Sequence, residues 1–267
     1  MVGGAAVSGA GTVAFGEWRI EKHELLDSTN ARALTVVREL LAAGRSPERR
    51  AFVAERQSAG RGQHGRVWES PPGGLYLSAM VTDVEVAYRD RLALLAGAAA
   101  LAALHGAGAR MAAIWWPNDL MLGDRKVGGI LCESAALGSA WAGVIGIGIN
   151  ITTPVSRLPA RAAALAQVLG HAAPVQDIAQ AFLRELDQTL ITLRDRGWPA
   201  VLEFLRAHDS LRGQIVTLKA DGEQFTGTAA GLDEEGNLLV TIAGQMRRFA
   251  AATLLTVGGQ PLRAATP

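Results

Sequence analysis

The residues best equipped for chemistry lie in one run, Gln57-Ser58-Ala59-Gly60-Arg61-Gly62-Gln63-His64-Gly65-Arg66-Val67-Trp68. Its glycines allow a tight turn and a close approach of backbone to a ligand. Its arginines are always-charged forks that match phosphate and carboxylate oxygens. Successive N–H groups in such a turn can form an anion-binding nest. Together they suit a loop that closes over a phosphorylated or adenylated ligand. An ordinary hairpin turn with solvated arginines fits the same residues. The run is neither a GxxxxGKS/T phosphate loop nor a GxGxxG turn opening a helix, because Val67-Trp68 and then Pro71-Pro72-Gly73-Gly74 follow it.

Four further groups invite the same question. Ser28-Thr29-Asn30 precedes apolar Ala33, Leu34, Val37, Leu40 and Leu41, so Asp27 or Ser28 can cap a helix running from Asn30 towards Leu41. Beyond capping, hydroxyls and an amide at a helix N-terminus can form a cup for a small polar head group. In Trp116-Pro117-Asn118-Asp119 the proline biases Trp116 towards an extended conformation, which reads as a strand-end kink. Asn118 and Asp119 are then either plain turn formers or presented polar groups, Asp119 being able to hold magnesium or orient a ligand. Lys126-Val127-Gly128-Gly129-Ile130-Leu131-Cys132-Glu133 reads as a strand whose glycines mark close approach by a ligand or another backbone. Lys126 beside that gap suits a phosphate or developing negative charge, or is a solvated hairpin lysine. Trp141 to Asn150 is another Gly-rich strand, ending in Asn150. Cys132, the single cysteine, reads as a packed core thiol, with no His or second Cys at a metal or catalytic spacing.

The elements that must position these groups can be read from periodicity. Strands are expected at Trp18–Glu21, Ala51–Ala54 and Gly74–Val81. Helices are expected from about Tyr88 to His105, Asp177 to Arg196 and Val201 to Ala207, with a short one between Pro154 and Gly170. From Gly213 the pattern changes to short alternating runs separated by Asp221-Gly222, Glu235-Gly236-Asn237 and Ala243-Gly244, which predicts a small all-β barrel. The organisation expected is a loose tail over 1–17, an α/β body over 18–210 and the barrel over 211–260.

Composition narrows the function classes. The chain has 267 residues, with 26 Lys+Arg against 25 Asp+Glu and a net charge of +1, so no global field favours nucleic acid or membrane. No apolar run reaches the roughly 18–20 residues of a membrane span. The first residues lack a basic n-region, so no signal peptide is read there, and a soluble cytoplasmic protein is expected.

In this order and spacing the pieces resemble the biotin–protein ligases: Ser-Thr-Asn, GRGQHGRVW, WPNDL, KVGGIL, GIGIN and a small C-terminal barrel. The resemblance covers nearly the whole chain. It implies an α+β fold, a mixed and mostly antiparallel sheet flanked by helices as in class II synthetases, followed by an SH3-like barrel. It implies ATP-dependent formation of biotinyl-adenylate and transfer of biotin to a lysine of a biotin carboxyl carrier domain. It implies further that ATP and Mg2+ are required and that biotin is the substrate. Ser28, Thr29, Asn30, Gln57, Gly60, Arg61, Gly62, Lys126, Gly128 and Gly129 match positions around biotin. Arg61, Arg66, Trp68, Asn118, Asp119, Lys126 and Asn150 match positions around the nucleotide, with Asp119 beside the metal. Lys126 and Arg61 match the charged groups nearest the reacting atoms.

Two departures stand out. Many relatives carry a second arginine where Gln63 stands, and a lysine where Trp115 stands. Regulatory relatives begin with a winged-helix DNA-binding domain, which the roughly 17 residues before Trp18 cannot form, so no DNA partner is expected. Monomer and homodimer both occur among relatives. A lipoate–protein ligase of the same fold and a non-catalytic biotin-binding regulator are the competing readings.

Overall fold

A computed structural model describes residues 11–47, 49–159 and 161–262. The first strands are β1 (Gly11–Phe15) and β2 (Trp18–Leu26), joined by a tight turn in which Gly16 takes a positive φ of 54°. The expected loose tail is thereby corrected: residues 11–15 pair antiparallel with β2 as an edge strand, and residues 1–10 lie outside the described residues. Helix α1 (Thr29–Ala42) follows, and its Ser28 N-cap accepts from the Ala31 N–H. Gly44 lies just past its end at φ 66°, a left-handed position that glycine adopts without a Cβ penalty. The chain then enters β3 (Arg50–Gln57). A helix between two strands allows a parallel crossover, and β2 and β3 are the parallel pair of this sheet.

The remaining strands of the sheet are β4 (Gly74–Val81), β5 (Ala112–Trp115), β6 (Asp119–Leu122), β7 (Arg125–Leu137) and β8 (Ala140–Asn150). They pair antiparallel, giving eight strands in the order β1-β2-β3-β4-β8-β7-β6-β5. The kink expected at the strand end is the turn of a hairpin between β5 and β6. Trp116-Pro117-Asn118 turns the chain back, and Trp115 pairs with Asp119.

The two faces of the sheet are covered differently. Helix α1 packs Leu34, Val37 and Leu41 on Phe52, Met80, Ala142 and Val144. The opposite face carries α2 (Leu92–Gly106), α4 (Val175–Arg196) and α5 (Trp198–Ala207), with short α3 (Leu165–Leu169) between. Helix α2 is buried around most of its circumference, which matches its Leu/Ala composition. Gly97 lets it approach the sheet closely, since a Cβ there would lie 2.6 Å from Ile114 Cδ1.

The C-terminal strands are β9 (Ile215–Ala220), β10 (Glu223–Leu232), β11 (Leu238–Ile242), β12 (Gln245–Phe249), β13 (Thr253–Val257) and β14 (Gln260–Pro261). They form a separate antiparallel sheet in the order β12-β11-β10-β9-β13-β14. The expected turns appear with both central residues at positive φ, Asp221-Gly222 and Ala243-Gly244. Closure into the expected barrel is not among the strand pairings of the described residues. The second sheet is docked by indole N–H groups: Trp116 Nε1 donates to Gly236 O at 3.0 Å and Trp198 Nε1 to Glu234 O at 2.8 Å.

Candidate functional site

The site forms where α1 stops covering its face of the sheet. Successive side chains of a strand alternate between faces. On β8 the positions facing α1 run Ala142, Val144, Gly146, Gly148, Asn150. The first two pack under the helix. At Gly146 a Cβ would lie 2.2 Å from Asn30 Oδ1, so the start of α1 rests on bare backbone. At Gly148 a Cβ would lie 2.7 Å from Trp68 Cε2 and Nε1, so the indole lies flat against the same strand. Gly129 on β7, paired with Gly148, extends this floor; a Cβ there would lie 3.4 Å from Trp68 Cζ3. Close approach at these strand glycines is found, but it is made by the side chains of Asn30 and Trp68 and not by the ligand or second backbone expected.

The start of α1 builds a buried polar cup. Ser28, Thr29 and Asn30 are 3%, 5% and 3% exposed. Gln57 Oε1 accepts from Thr29 N at 2.8 Å, and Gln57 Nε2 donates to Ser70 Oγ at 2.8 Å, which donates to Trp68 O at 3.0 Å. Ser78 Oγ lies 2.8 Å from Thr29 Oγ1 and donates to Asn30 Oδ1 at 2.6 Å. Asn30 Nδ2 donates to Leu131 O at 3.1 Å and to Glu133 Oε2 at 3.0 Å. Asn30 therefore spends its amide on the protein itself and braces the cup. Buried polar groups linked in this way hold one geometry, since each lost partner leaves another unsatisfied.

The central loop leaves β3 and returns as a narrow turn. Gly62 N donates to Arg66 O at 2.8 Å, Trp68 N donates to Gly60 O at 2.9 Å, and His64 and Gly65 take positive φ at its tip. Gly60 must be glycine here, because a Cβ would lie 2.2 Å from Trp68 O. Gln63 and Arg66 flank the tip. Arg61 reaches back, Nη2 donating to Glu133 Oε1 at 3.0 Å. Beside the loop a cavity of about 790 Å³ is lined by Gln57, Gly60, Trp68 and Ser70 on one side and by Leu25, Pro154 and Arg157 on the other.

Charge converges on the glycine floor. Lys126 on β7 forms an ion pair with Asp119 at the start of β6, and its Nζ lies 5.5 Å from the Trp68 ring centroid. Trp68 Nε1 is buried without a hydrogen-bond partner among the described residues. Asn118 clamps the hairpin on β7, Nδ2 donating to Ile130 O at 2.7 Å. Asn150 ends β8, buried opposite Gly74. Gly128 is not brought to this group. Strand alternation turns it to the other face, against Leu120 Cδ1 and Ile149 Cγ1. Trp115 is buried in β5, with the Arg161 guanidinium 5.9 Å over its ring.

Two other chemistries find little support. Cys132 is partly buried against the core and desolvation pushes its thiol up to about 12, so a thiolate nucleophile is unavailable near neutral pH. Among the described residues no group of three or more His, Cys, Asp or Glu side chains could hold a metal by itself. Asp119 alone suits an ion that takes its other ligands from phosphates and water. No helix among the described residues is long and apolar enough to cross a membrane. The residues that sequence reasoning missed are Ser70, Ser78 and Glu133. Ser78 had one signal, a lone hydroxyl in the otherwise apolar second half of β4.

Residues 24–150 match the Biotin/lipoate A/B protein ligase family, and residues 212–253 match the Biotin protein ligase C terminal domain. The chain is 33% identical over 202 residues to the biotin--[acetyl-CoA-carboxylase] ligase of Mycobacterium tuberculosis, covering 73% of this chain and 74% of that relative. Among solved structures it is similar to the biotin protein ligase from Aquifex aeolicus in complex with biotin and ATP. That match has a TM-score of 0.75 and 25% identity over 88% of this chain and 97% of the other. It is also similar to the biotin protein ligase from Leishmania major in complex with biotinyl-5-AMP, with a TM-score of 0.58 and 26% identity over 87% and 98% of the two chains.

Proposed function

Since this chain belongs to the biotin protein ligase family, we propose that it activates biotin with ATP and passes the biotinyl group to a lysine of a carboxylase carrier domain. The observation that carries the reading is the meeting of Lys126, Asp119 and Trp68 on the Gly129–Gly148 floor, beside a buried hydroxyl–amide cup.

In the first step a biotin carboxylate oxygen attacks the α-phosphorus of ATP. An acyl–phosphate bond forms and pyrophosphate leaves with the electron pair of the broken P–O bond. In the second step an acceptor lysine amine attacks the activated carbonyl, an amide forms and AMP leaves. No covalent bond to the enzyme is required. Ser28, Thr29 and Gln57 would hydrogen-bond the ureido head, with Asn30 fixing their geometry. Lys126 and Arg61 would face the reacting carboxylate and α-phosphate, where fixed positive charge stabilises the negative charge that builds during transfer. Trp68 would pack its indole on the adenylate, and Asn118 and Asn150 would lie towards the nucleotide. Magnesium, when bound with ATP, offsets triphosphate charge, and Asp119 would share it with phosphate oxygens.

The test mixes the protein with ATP, magnesium and either biotin or lipoate, and follows pyrophosphate together with the acyl-adenylate by mass spectrometry. Biotin-dependent adenylate is expected. Activity with lipoate alone would move the protein to the sister branch of the family, and biotin binding without adenylate would leave a non-catalytic binder.

A further inference from the structure

We propose that Glu133 is the positioning residue that anchors the Arg61 loop to the head-group cup. Its kinetic consequence rests on the ligase reading; its structural consequence does not. Glu133 lies on β7 beyond the stretch that β6 covers, since the β6 pairing ends at Gly129. Its two carboxylate oxygens serve two different masters. Oε2 accepts from Asn30 Nδ2 at 3.0 Å, and Asn30 is itself buried and held by Ser78. Oε1 accepts from Arg61 Nη2 at 3.0 Å. The carboxylate is thus fixed from the buried side and presents one oxygen to the loop.

The geometry suits tethering rather than simple neutralisation. The Arg61 side chain is 48% exposed and that of Glu133 23% exposed, so the pair contributes little to overall stability. A guanidinium has five donors in a plane. The contact uses Nη2, so the rest of the fork stays available to an anionic ligand while the arginine is held. The bonds closing the loop on itself, Gly62 N to Arg66 O and Trp68 N to Gly60 O, do not bind its tip to the sheet. With Arg61 tethered, part of the ordering entropy of the loop is spent before a ligand arrives. The same carboxylate links loop position to the cup through Asn30.

The test uses Glu133→Gln, which keeps an oxygen for Asn30 and removes the charge. In the ligand-free protein, amide hydrogen exchange at Gly62 and Trp68 is expected to quicken about fivefold, with Val37 in α1 unchanged as a control. Arg61→Ala removes the same tether from the other side and should give the same acceleration, and the double variant no more. In the biotin-dependent reaction, Glu133→Gln should raise KM for ATP about fivefold while kcat changes less than twofold. Unchanged exchange in both single variants, or a double variant whose exchange acceleration is the product of the two, overturns the anchor. Quickened exchange with an unchanged KM overturns its link to nucleotide binding. If the wild-type protein forms no adenylate, the ligase reading fails, and the exchange comparison still decides the anchor.

Discussion

The cup and the loop face each other across the glycine floor, yet they are built on opposite physical terms. In the cup, Ser28, Thr29 and Asn30 are at most 5% exposed and engage protein partners from α1, β3, β4 and β7. In the loop, Arg61 is half exposed and pairs with Glu133 of the sheet, and Val67 is 78% exposed. A neutral head group is recognised by donors and acceptors whose positions must already be correct, because each unsatisfied buried polar group costs about 1–3 kcal/mol. A phosphate is recognised largely by charge, which tolerates a loop that moves. Under the proposed function, the head-group cup is thus already fixed in the folded protein, while the reacting anion is met by a more exposed loop.

The largest expected effect lies where floor and loop meet. Lys126→Ala should lower adenylate formation about 10²- to 10³-fold with little loss of fold, measured by pyrophosphate release beside thermal melting. A small loss would move the anion site away from the floor. Next comes the cup's footing. Gly146→Ala places a Cβ 2.2 Å from Asn30 Oδ1 and is expected to cost about 3 kcal/mol in denaturant unfolding. A near-neutral result would show that α1 can slide off the sheet and that the cup is not preformed. Ser78→Ala should cost about 2 kcal/mol, because Asn30 Oδ1 then stays buried without its donor. It should also weaken biotin binding in calorimetry, whereas a loop change would act mainly on ATP. The smallest effect sharpens the contrast. Arg61→Ala should change unfolding free energy by no more than about 0.5 kcal/mol, as befits an exposed pair, while impairing adenylate formation.

Local features were legible in the chain because their causes are local. Ser28 caps α1 as its hydroxyl and position predict, and the turns at Asp221-Gly222 and Ala243-Gly244 follow from residues that tolerate positive φ. The Gly-rich strands announced close approach. What approaches them was hidden, because Asn30 reaches Gly146, and Trp68 reaches Gly148, only once β3, β4 and β8 lie side by side. Gly128 shows the limit from the other direction. It adjoins Gly129 in sequence, yet the pleat and the pairing with β8 decide that one glycine lines the floor and the other packs against Leu120. Residues 11–15 lacked any strong strand signal of their own, and β2 supplied the edge that made them a strand.

By itself the sequence determined which residue types were available for the chemistry. It carried a capping serine, a loop of glycines and arginines, a lysine and a carboxylate near glycine-bearing strands, and a change of periodicity that begins a second sheet. Tertiary structure alone decided which of them meet. Glu133 joins Asn30 and Arg61 across 103 and 72 residues of chain, and Ser78 reaches back 48 to Asn30. Such contacts have no short-range signature, because they are set by strand order and by which face each side chain takes in the sheet.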